Sequence, residues 1–481
     1  MRLRATGDRP GALNRYGWIW PVLAVLAVTG YRLTGAQPWR DELATWSAAD
    51  RDVDDLFRMA GTIDAVNAPY YLFMHGWTAV FGDSVAALRA PAALATAAAA
   101  GLLAVLGRQL FPARTGLVAG LLYAVLPSTS RYAQEARSYA LATAFALLAS
   151  VLLVRALRRP TVARWAGYAL AVTALGLTHL VAATLLAGHA VAVLTAGRRH
   201  RDRWWGWLLA VLPAVLVLTP LVVLGRGQQG RQLDWVDPPT LGDLAVLPSV
   251  LVQSGQVGGL LLGLATVGAV SRGRRGLAVA GCVLLPVALL LVVGLVTPLW
   301  VPRYLTFTVP FGCLLAAVVP GMLRLPAALV VVAVTALLGV PEQAALRRTH
   351  EWPRSAPVDY AGAARIVADG QRPGDAIVYS PRDGWRFLDL AVAYHLRGRP
   401  RPRDALLVRD QAARGDLWVD ECPDPAPCLA GHDRVWLLVA GAPADPAGAV
   451  TGARGAALRA GYRTDRSWRV SGLTVALLTR R

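Results

Sequence analysis

The sequence predicts a polytopic α-helical membrane protein with about eleven spans, followed by a small extracytoplasmic α/β domain. Three observations carry that prediction. The 481 residues are 55% hydrophobic with a mean hydropathy of +0.44, too apolar for a soluble chain of this size. Windows such as 86–106, 204–224 and 277–297 run almost without charge, and about 20 such residues cross a hydrocarbon core of roughly 30 Å. The arginines, finally, alternate from one connection to the next.

Taken in order, the apolar stretches are 17–35, 86–106, 115–129, 138–154, 165–178, 180–197, 204–224, 257–270, 277–297, 304–322 and 326–340. The opening "MRLRATGDRPGALNRYGWIW" lacks a small-residue cleavage site, so the first stretch reads as an uncleaved span. With the N-terminus cytoplasmic, one side of the membrane receives Arg2, Arg4, Arg9 and Arg15, then Arg108 and Arg114, then Arg155, Arg158, Arg159 and Arg164. "RRHRDR" (198–203), "SRGRR" (271–275) and Arg324 continue on that side, as the positive-inside rule requires. The other side receives 36–85, with Asp41, Glu42, Asp50, Asp52, Asp54, Asp55 and Asp64. An odd number of spans then puts 341–481 outside. The domains expected are 1–340 in the membrane and 341–481 beyond it.

The formal charge of +19 comes entirely from arginine, since lysine is absent; with the heavy alanine usage this points to a GC-rich, bacterial coding bias. In a polytopic chain such a balance is explained by cytoplasmic anchoring, and nucleic acid is set aside as a partner. After residue 340 the pattern changes. "DYAGAARIVADGQRPGDAIVYSP" reads as a helix, a turn and a short strand; "RFLDLAVAYHL" as a helix; "DRVWLLVAG" and "SWRVSGLTVALLTR" as one strand each. Strands alternating with helices give an α/β domain, and its "PGD" does not open a helix after a strand as a phosphate loop would. Cys282 and Cys313 fall inside spans as small hydrophobes. Cys422 and Cys428, outside in "ECPDPAPC", are placed for a local disulfide.

Residues able to do chemistry cluster on the acidic, outer side. In "QPWRDELATW" Asp41 could cap a helix beginning at Glu42 or act as a general base. Adjacent helical residues point about 100° apart, so the pair divides its roles, with Asp41 as base and Glu42 in support. "DAVNAPYYLFMHGW" (64–77) offers Asn67 and Tyr70 as substrate contacts, although its aromatic residues serve equally as interfacial anchors, and His75 reads as an interfacial histidine. "RYAQEARSYAL" (131–141) places Arg131, Glu135 and Arg137 between apolar stretches, where charge is expensive. A helix over 134–141 would align Gln134, Arg137 and Leu141, and arginine's planar fork suits phosphate; an Arg131–Glu135 ion pair is the purely structural alternative. "TPLWVPRYLTF" (297–307) adds Arg303 and Tyr304, and His179 is either a substrate contact or a satisfied core histidine. The stretch 225–256, with Trp235, reads as a loop. A carboxylate base together with phosphate-binding arginines fits transfer from a phosphate leaving group.

With these residues in hand, the chain resembles the GT-C superfamily of polytopic glycosyltransferases, specifically the protein mannosyltransferase and aminoarabinose transferase type of glycosyltransferase family 39. "RDE" in the first outer loop, "NAPYY", "QEARSYAL" and "PRY" occur in that group's order, with "QEARSYAL" the most specific. The resemblance covers about residues 15–340. Where the group commonly shows His-Pro-Pro before the tyrosines, this chain has Asn67-Ala68-Pro69. The resemblance implies a membrane enzyme that moves mannose, or another pentose or hexose, from a polyprenyl-phosphate donor to an extracytoplasmic glycan, lipid or protein, with inversion. It implies Asp41 as the base that deprotonates the acceptor, and Arg137 and Arg303 on the departing phosphate, with Gln134 and Tyr304 beside them. A divalent metal is an option in this group that no ligand spacing here indicates. The competing classes are a lipid or sugar transporter, which should show repeated halves with broken helices, and a non-catalytic envelope assembly factor.

Overall fold

Apolar residues at helical spacing dominate the computed structural model, which describes residues 16–196, 201–351 and 353–481. Arg2, Arg4, Arg9, Arg15, Arg198 and Arg199 of the alternation lie outside the described residues. The chain divides into two compact units. One comprises Met1–Leu33, Asp64–Tyr70 and Arg89–Leu346; the other comprises Thr34–Ile63, Tyr71–Leu88 and Arg347–Arg481. The break near 346 lies close to the expected boundary at 340, but most of the first outer loop groups with the C-terminal residues rather than with the helices.

Helices occupy each expected apolar stretch. Among the described residues, Val85–Leu110, Tyr139–Arg158, Arg203–Gln232 and Gly273–Gly294 are long and apolar enough to cross a membrane, and up to 6 spans result if two bent helix pairs each count as one. The shortfall has local causes. Pro302, Pro310 and Pro320 each head a separate turn or helix, so 304–322 is split into Pro302–Thr308, Val309–Ala316 and Pro320–Met322. The stretch 225–256 is not the expected loop. The helix Arg201–Gln232 runs through its start, and Leu241–Val252 forms a further helix, opened by a Thr240–Asp243 capping box. Gln253, at φ +61°, then turns the chain by 100° into Gly255–Ser271.

Small residues let these helices approach closely. A Cβ on Gly116 would lie 2.3 Å from the Ala104 carbonyl oxygen, and one on Gly268 would lie 2.0 Å from that of Leu315. One buried polar chain ties four helices together. His189 Nε2 lies 3.0 Å from Ser150 Oγ, which donates to the Ala146 carbonyl. Tyr168 lies 2.9 Å from His189 Nδ1, and its oxygen accepts from Trp207 Nε1 at 2.9 Å. With Ser150's proton so committed, the chain assigns the His189 hydrogen to Nε2.

Among the described residues the second unit has seven strands: β1 (Ala376–Ser380), β2 (Arg403–Asp404), β3 (Leu407–Arg409), β4 (Asp420–Glu421), β5 (Arg434–Ala440), β6 (Tyr462–Val470) and β7 (Leu473–Arg480). Five of them form a sheet in the order β2-β1-β5-β7-β6, while β3 and β4 pair separately. β1 runs parallel to β2 and β5, and β7 is antiparallel to β5 and β6. "SWRVSGLTVALLTR" therefore contains the end of one strand and all of a second, joined at Gly472, where φ is +72°. Cys422 and Cys428 are disulfide-bonded. First-loop residues pack into this unit by specific bonds. Gln37 donates to the Val358 carbonyl at 2.9 Å and accepts from the Ala361 amide, Arg51 donates to the Asp416 carbonyl at 2.7 Å, and Tyr394 donates to the Asp83 carbonyl.

Candidate active site

The helix Arg40–Ala49 follows Trp39, whose extended backbone leaves its N–H to be satisfied. Glu42 reaches back and accepts that N–H at 3.3 Å, so the capping carboxylate is Glu42, not Asp41. Glu42 is buried, with His350 Nδ1 4.0 Å from its Oε2. Asp41 occupies the first turn and is half-buried. Its charge reaches the buried Glu351, whose carboxyl is pushed above its usual range by burial and by Asp41, while Arg40 opposes the shift. Two adjacent carboxylates thus do different things, as their angular separation requires.

The other expected residues belong to the helical unit. Residues 134–138 are turn, not helix, because Pro127–Ala133 ends at Gln134 and the next helix begins at Tyr139. The expected alignment of Gln134 with Arg137 on one helical face therefore does not form. Gln134 Nε2 instead donates to the carbonyls of Thr29 and Tyr31, tying the turn to the first helix. Arg131 and Glu135 are both buried and 3.5 Å apart, so their ion pair forms. Arg137 lies in the turn itself. Immediately after it, Tyr139 packs against His179 with ring centroids 5.5 Å apart, and His179 meets Tyr304 edge-on at 5.2 Å. The charges of Arg137 and Arg303 both reach His179 and Tyr304. Arg303 also lies 5.5 Å over the ring of Trp235. Two arginines far apart in sequence thus border one aromatic cluster.

Asn67 and Asp64 join that cluster from an earlier part of the chain. Asp64 holds φ at +60°, accepts from Asn67 Nδ2 at 2.6 Å and from Gln232 Nε2, and its charge also reaches Tyr304. Asn67 is therefore a support for Asp64, and Tyr70 is buried nearby in sequence. Sequence reading overlooked Tyr139, Gln232 and the role of Trp235. An aromatic directly after a buried arginine turn was the available signal for Tyr139; Gln232 had none. His75 lies in the other unit, 3.0 Å from the Ala49 carbonyl. Among the described residues no three His, Cys, Asp or Glu side chains gather to hold a metal ion. The donor set among the described residues does not fit a protein-held divalent ion.

Residues 68–223 match the family model described as dolichyl-phosphate-mannose-protein mannosyltransferase. By sequence, no protein of curated function matches. Among solved structures, ArnT from Cupriavidus metallidurans bound to undecaprenyl phosphate superposes with a TM-score of 0.64 at 15% identity, covering 96% of this chain and 98% of that one. The Archaeoglobus fulgidus oligosaccharyltransferase, in complex with zinc and sulfate, gives 0.51 at 11% identity over 88% of this chain and 67% of that one. Arabinofuranosyltransferase AftD from Mycobacteria gives 0.53 at 17%, covering 99% of this chain and 42% of the other. The fold is shared with these transferases, and the apolar helices include several long enough to cross a membrane.

Proposed function

We propose that this chain is a membrane glycosyltransferase that moves a sugar, mannose or another pentose or hexose, from a polyprenyl-phosphate donor to an extracytoplasmic acceptor. The observation that carries the reading is the pair of arginines, Arg137 and Arg303, brought to one aromatic cluster inside a fold shared with a protein that binds undecaprenyl phosphate. A guanidinium pair offers forked donors to a phosphate whose charge grows as it leaves. Arg131 pairs with Glu135 and supports the turn. Tyr304, Tyr139 and His179 supply a surface that is apolar with polar edges, suited to the junction of a prenyl chain and its phosphate.

In the proposed reaction an acceptor hydroxyl oxygen attacks the anomeric carbon. The bond from that carbon to the lipid phosphate oxygen breaks, its electron pair leaves with the phosphate, and the hydroxyl proton passes to Asp41. Displacement from the far side inverts the anomeric configuration. The bilayer holds the donor. Eleven spans, a cytoplasmic N-terminus and an extracytoplasmic domain over 341–481 belong to the same reading, supported by the arginine alternation.

The test is titration of a short-chain polyprenyl phosphate into purified protein. A charge-assisted hydrogen bond is worth roughly 1.5–3 kcal/mol, so Arg137→Ala and Arg303→Ala should each weaken binding by about tenfold to a hundredfold. Arg137→Lys should recover only part of the loss, lacking the fork. Unchanged affinity in both alanine variants makes the arginines structural, and transfer from a nucleotide sugar alone ends the lipid-donor reading.

A further inference from the structure

The C-terminal unit contains a cavity of about 270 Å³ whose polar lining is Arg40, Glu351, Tyr360 and Arg386. A single water needs only ~10–15 Å³, so the space suits a small molecule. Its wall is mixed in the way ligand sites are, with Pro353, Ala356 and Val358 apolar and the few polar groups converging. Gly441 and Gly472 complete it at φ +82° and +72°, joined by a 2.8 Å backbone hydrogen bond, so part of the wall is bare main chain.

The polar groups are specific. Tyr360 donates its hydroxyl proton to the Arg386 carbonyl at 3.1 Å. Burial pushes the Glu351 carboxyl up, and the neighbouring Arg40 opposes that shift. A tyrosine has one proton to give. That proton goes to the Arg386 carbonyl. Arg40 and Arg386 set two guanidinium groups against the single Glu351 carboxyl in the lining, so its net charge is positive. Arg40 directly precedes Asp41, whose charge reaches Glu351.

We propose that this cavity binds the acceptor through an acidic group, a carboxylate or a phosphate carried on a sugar ring, with Arg40 and Arg386 as its recognition residues. The inference rests on the transferase reading only in naming the ligand as acceptor. An anion held beside Arg40 places neighbouring hydroxyls of the same molecule within reach of the first turn that carries Asp41. The apolar wall takes the face of the ring, and the arginines select acidic over neutral sugars.

The experiment measures binding of glucuronic acid, glucose 6-phosphate and glucose to the full-length protein in nanodiscs by saturation-transfer NMR and calorimetry. At least one acidic sugar should bind about tenfold or more tighter than glucose, the span of one charge-assisted pair. The stronger of the two acids identifies carboxylate or phosphate as the group recognised. Arg386→Gln and Arg40→Gln should each remove that preference, and Ala356→Trp, filling the cavity from its exposed rim, should abolish binding while thermal stability is kept. Equal binding of glucose, no binding of any of the three, or wild-type affinity in Arg386→Gln and Ala356→Trp overturns the proposal. Transfer from a polyprenyl-phosphate sugar is measured separately. Its failure with acidic-sugar binding intact removes the transferase reading and leaves the cavity, whereas transfer without acidic-sugar binding removes the cavity alone.

Discussion

Asp41 and Glu42 differ by one position and about 100° of helical azimuth, and that difference decides how each should respond to mutation. Asp41→Asn keeps the size and hydrogen-bonding shape of the side chain but cannot accept a proton at neutral pH. Turnover should fall by a factor of roughly 10² to 10⁴, the usual worth of a general base, with donor binding and melting temperature unchanged. Glu42→Ala removes the carboxylate that accepts the Trp39 amide, and loss of such a cap costs about 0.5–2 kcal/mol. Its melting temperature should fall, while Glu42→Gln, which can still accept the bond, should be milder in both stability and rate. Normal turnover in Asp41→Asn with a large loss in Glu42→Gln means that the roles are exchanged. The acidic pair stands out in the sequence as a candidate for chemistry. Which member caps was not, because the helix begins earlier than "DEL" suggests. Glu351, Tyr360 and Arg386 were invisible for a different reason. They are more than 300 residues from Asp41 in the chain, and nothing in periodicity reports such a meeting.

At the scale of elements, two buried polar arrangements make opposite predictions. The chain Ser150–His189–Tyr168–Trp207 has a partner for each of its hydrogens. Tyr168→Phe would leave His189 Nδ1 and the Trp207 N–H without theirs, at about 1–3 kcal/mol for each unsatisfied group and nearer ~0.6 kcal/mol where the membrane reference state finds substitutes. Melting in detergent should drop by several degrees with donor affinity unaltered; an unchanged melting point would show that the chain adds nothing to helix packing. In the α/β unit, Arg382 serves too many carboxylates. Its Nη2 is 2.5 Å from Asp404, while its Nε is 3.7 Å from Asp389 and 3.9 Å from Glu421. Asp404 is the primary partner and Asp389 is surplus, so burial outweighs the arginine and holds the Asp389 carboxyl above its usual range. A raised carboxyl contributes stability that is complete below its unfolded value, about 3.9, and lost as pH rises through the higher folded value. The melting temperature of the wild type minus that of Asp389→Asn should therefore grow as pH falls from neutral towards the unfolded value. A flat difference, or one that shrinks, would place Asp389 among ordinary paired carboxylates.

For the whole molecule, the helical positions were legible because each apolar stretch announces itself locally, within one window of sequence. Where proline interrupts such a stretch, as at Pro310 and Pro320, the window stays apolar while the helix ends, and the number of continuous spans falls below the number of apolar segments. The grouping of Thr34–Ile63 with Arg347–Arg481 escaped sequence reading because it rests on single bonds such as Arg51 to the Asp416 carbonyl. The topology tests whether counting apolar segments or counting continuous helices is the better guide. Arg108 and Arg114, then Arg155, Arg158, Arg159 and Arg164, then Arg272, Arg274 and Arg275, and finally Arg324 fall in alternate connections only if every apolar segment, broken or not, carries the chain across once. That count is odd and puts Arg481 on the outer face; dropping any one segment reverses the C-terminus and scatters the arginines over both sides. An alkaline phosphatase fusion after Arg481 should therefore be active, and a green fluorescent protein fusion there dark when exported unfolded. Paired fusions at Gly273 should give the reverse pattern. A bright fluorescent fusion at Arg481 would put Asp41 and Arg481 on opposite faces or break the count upstream, and either result removes the extracytoplasmic acceptor from the proposal.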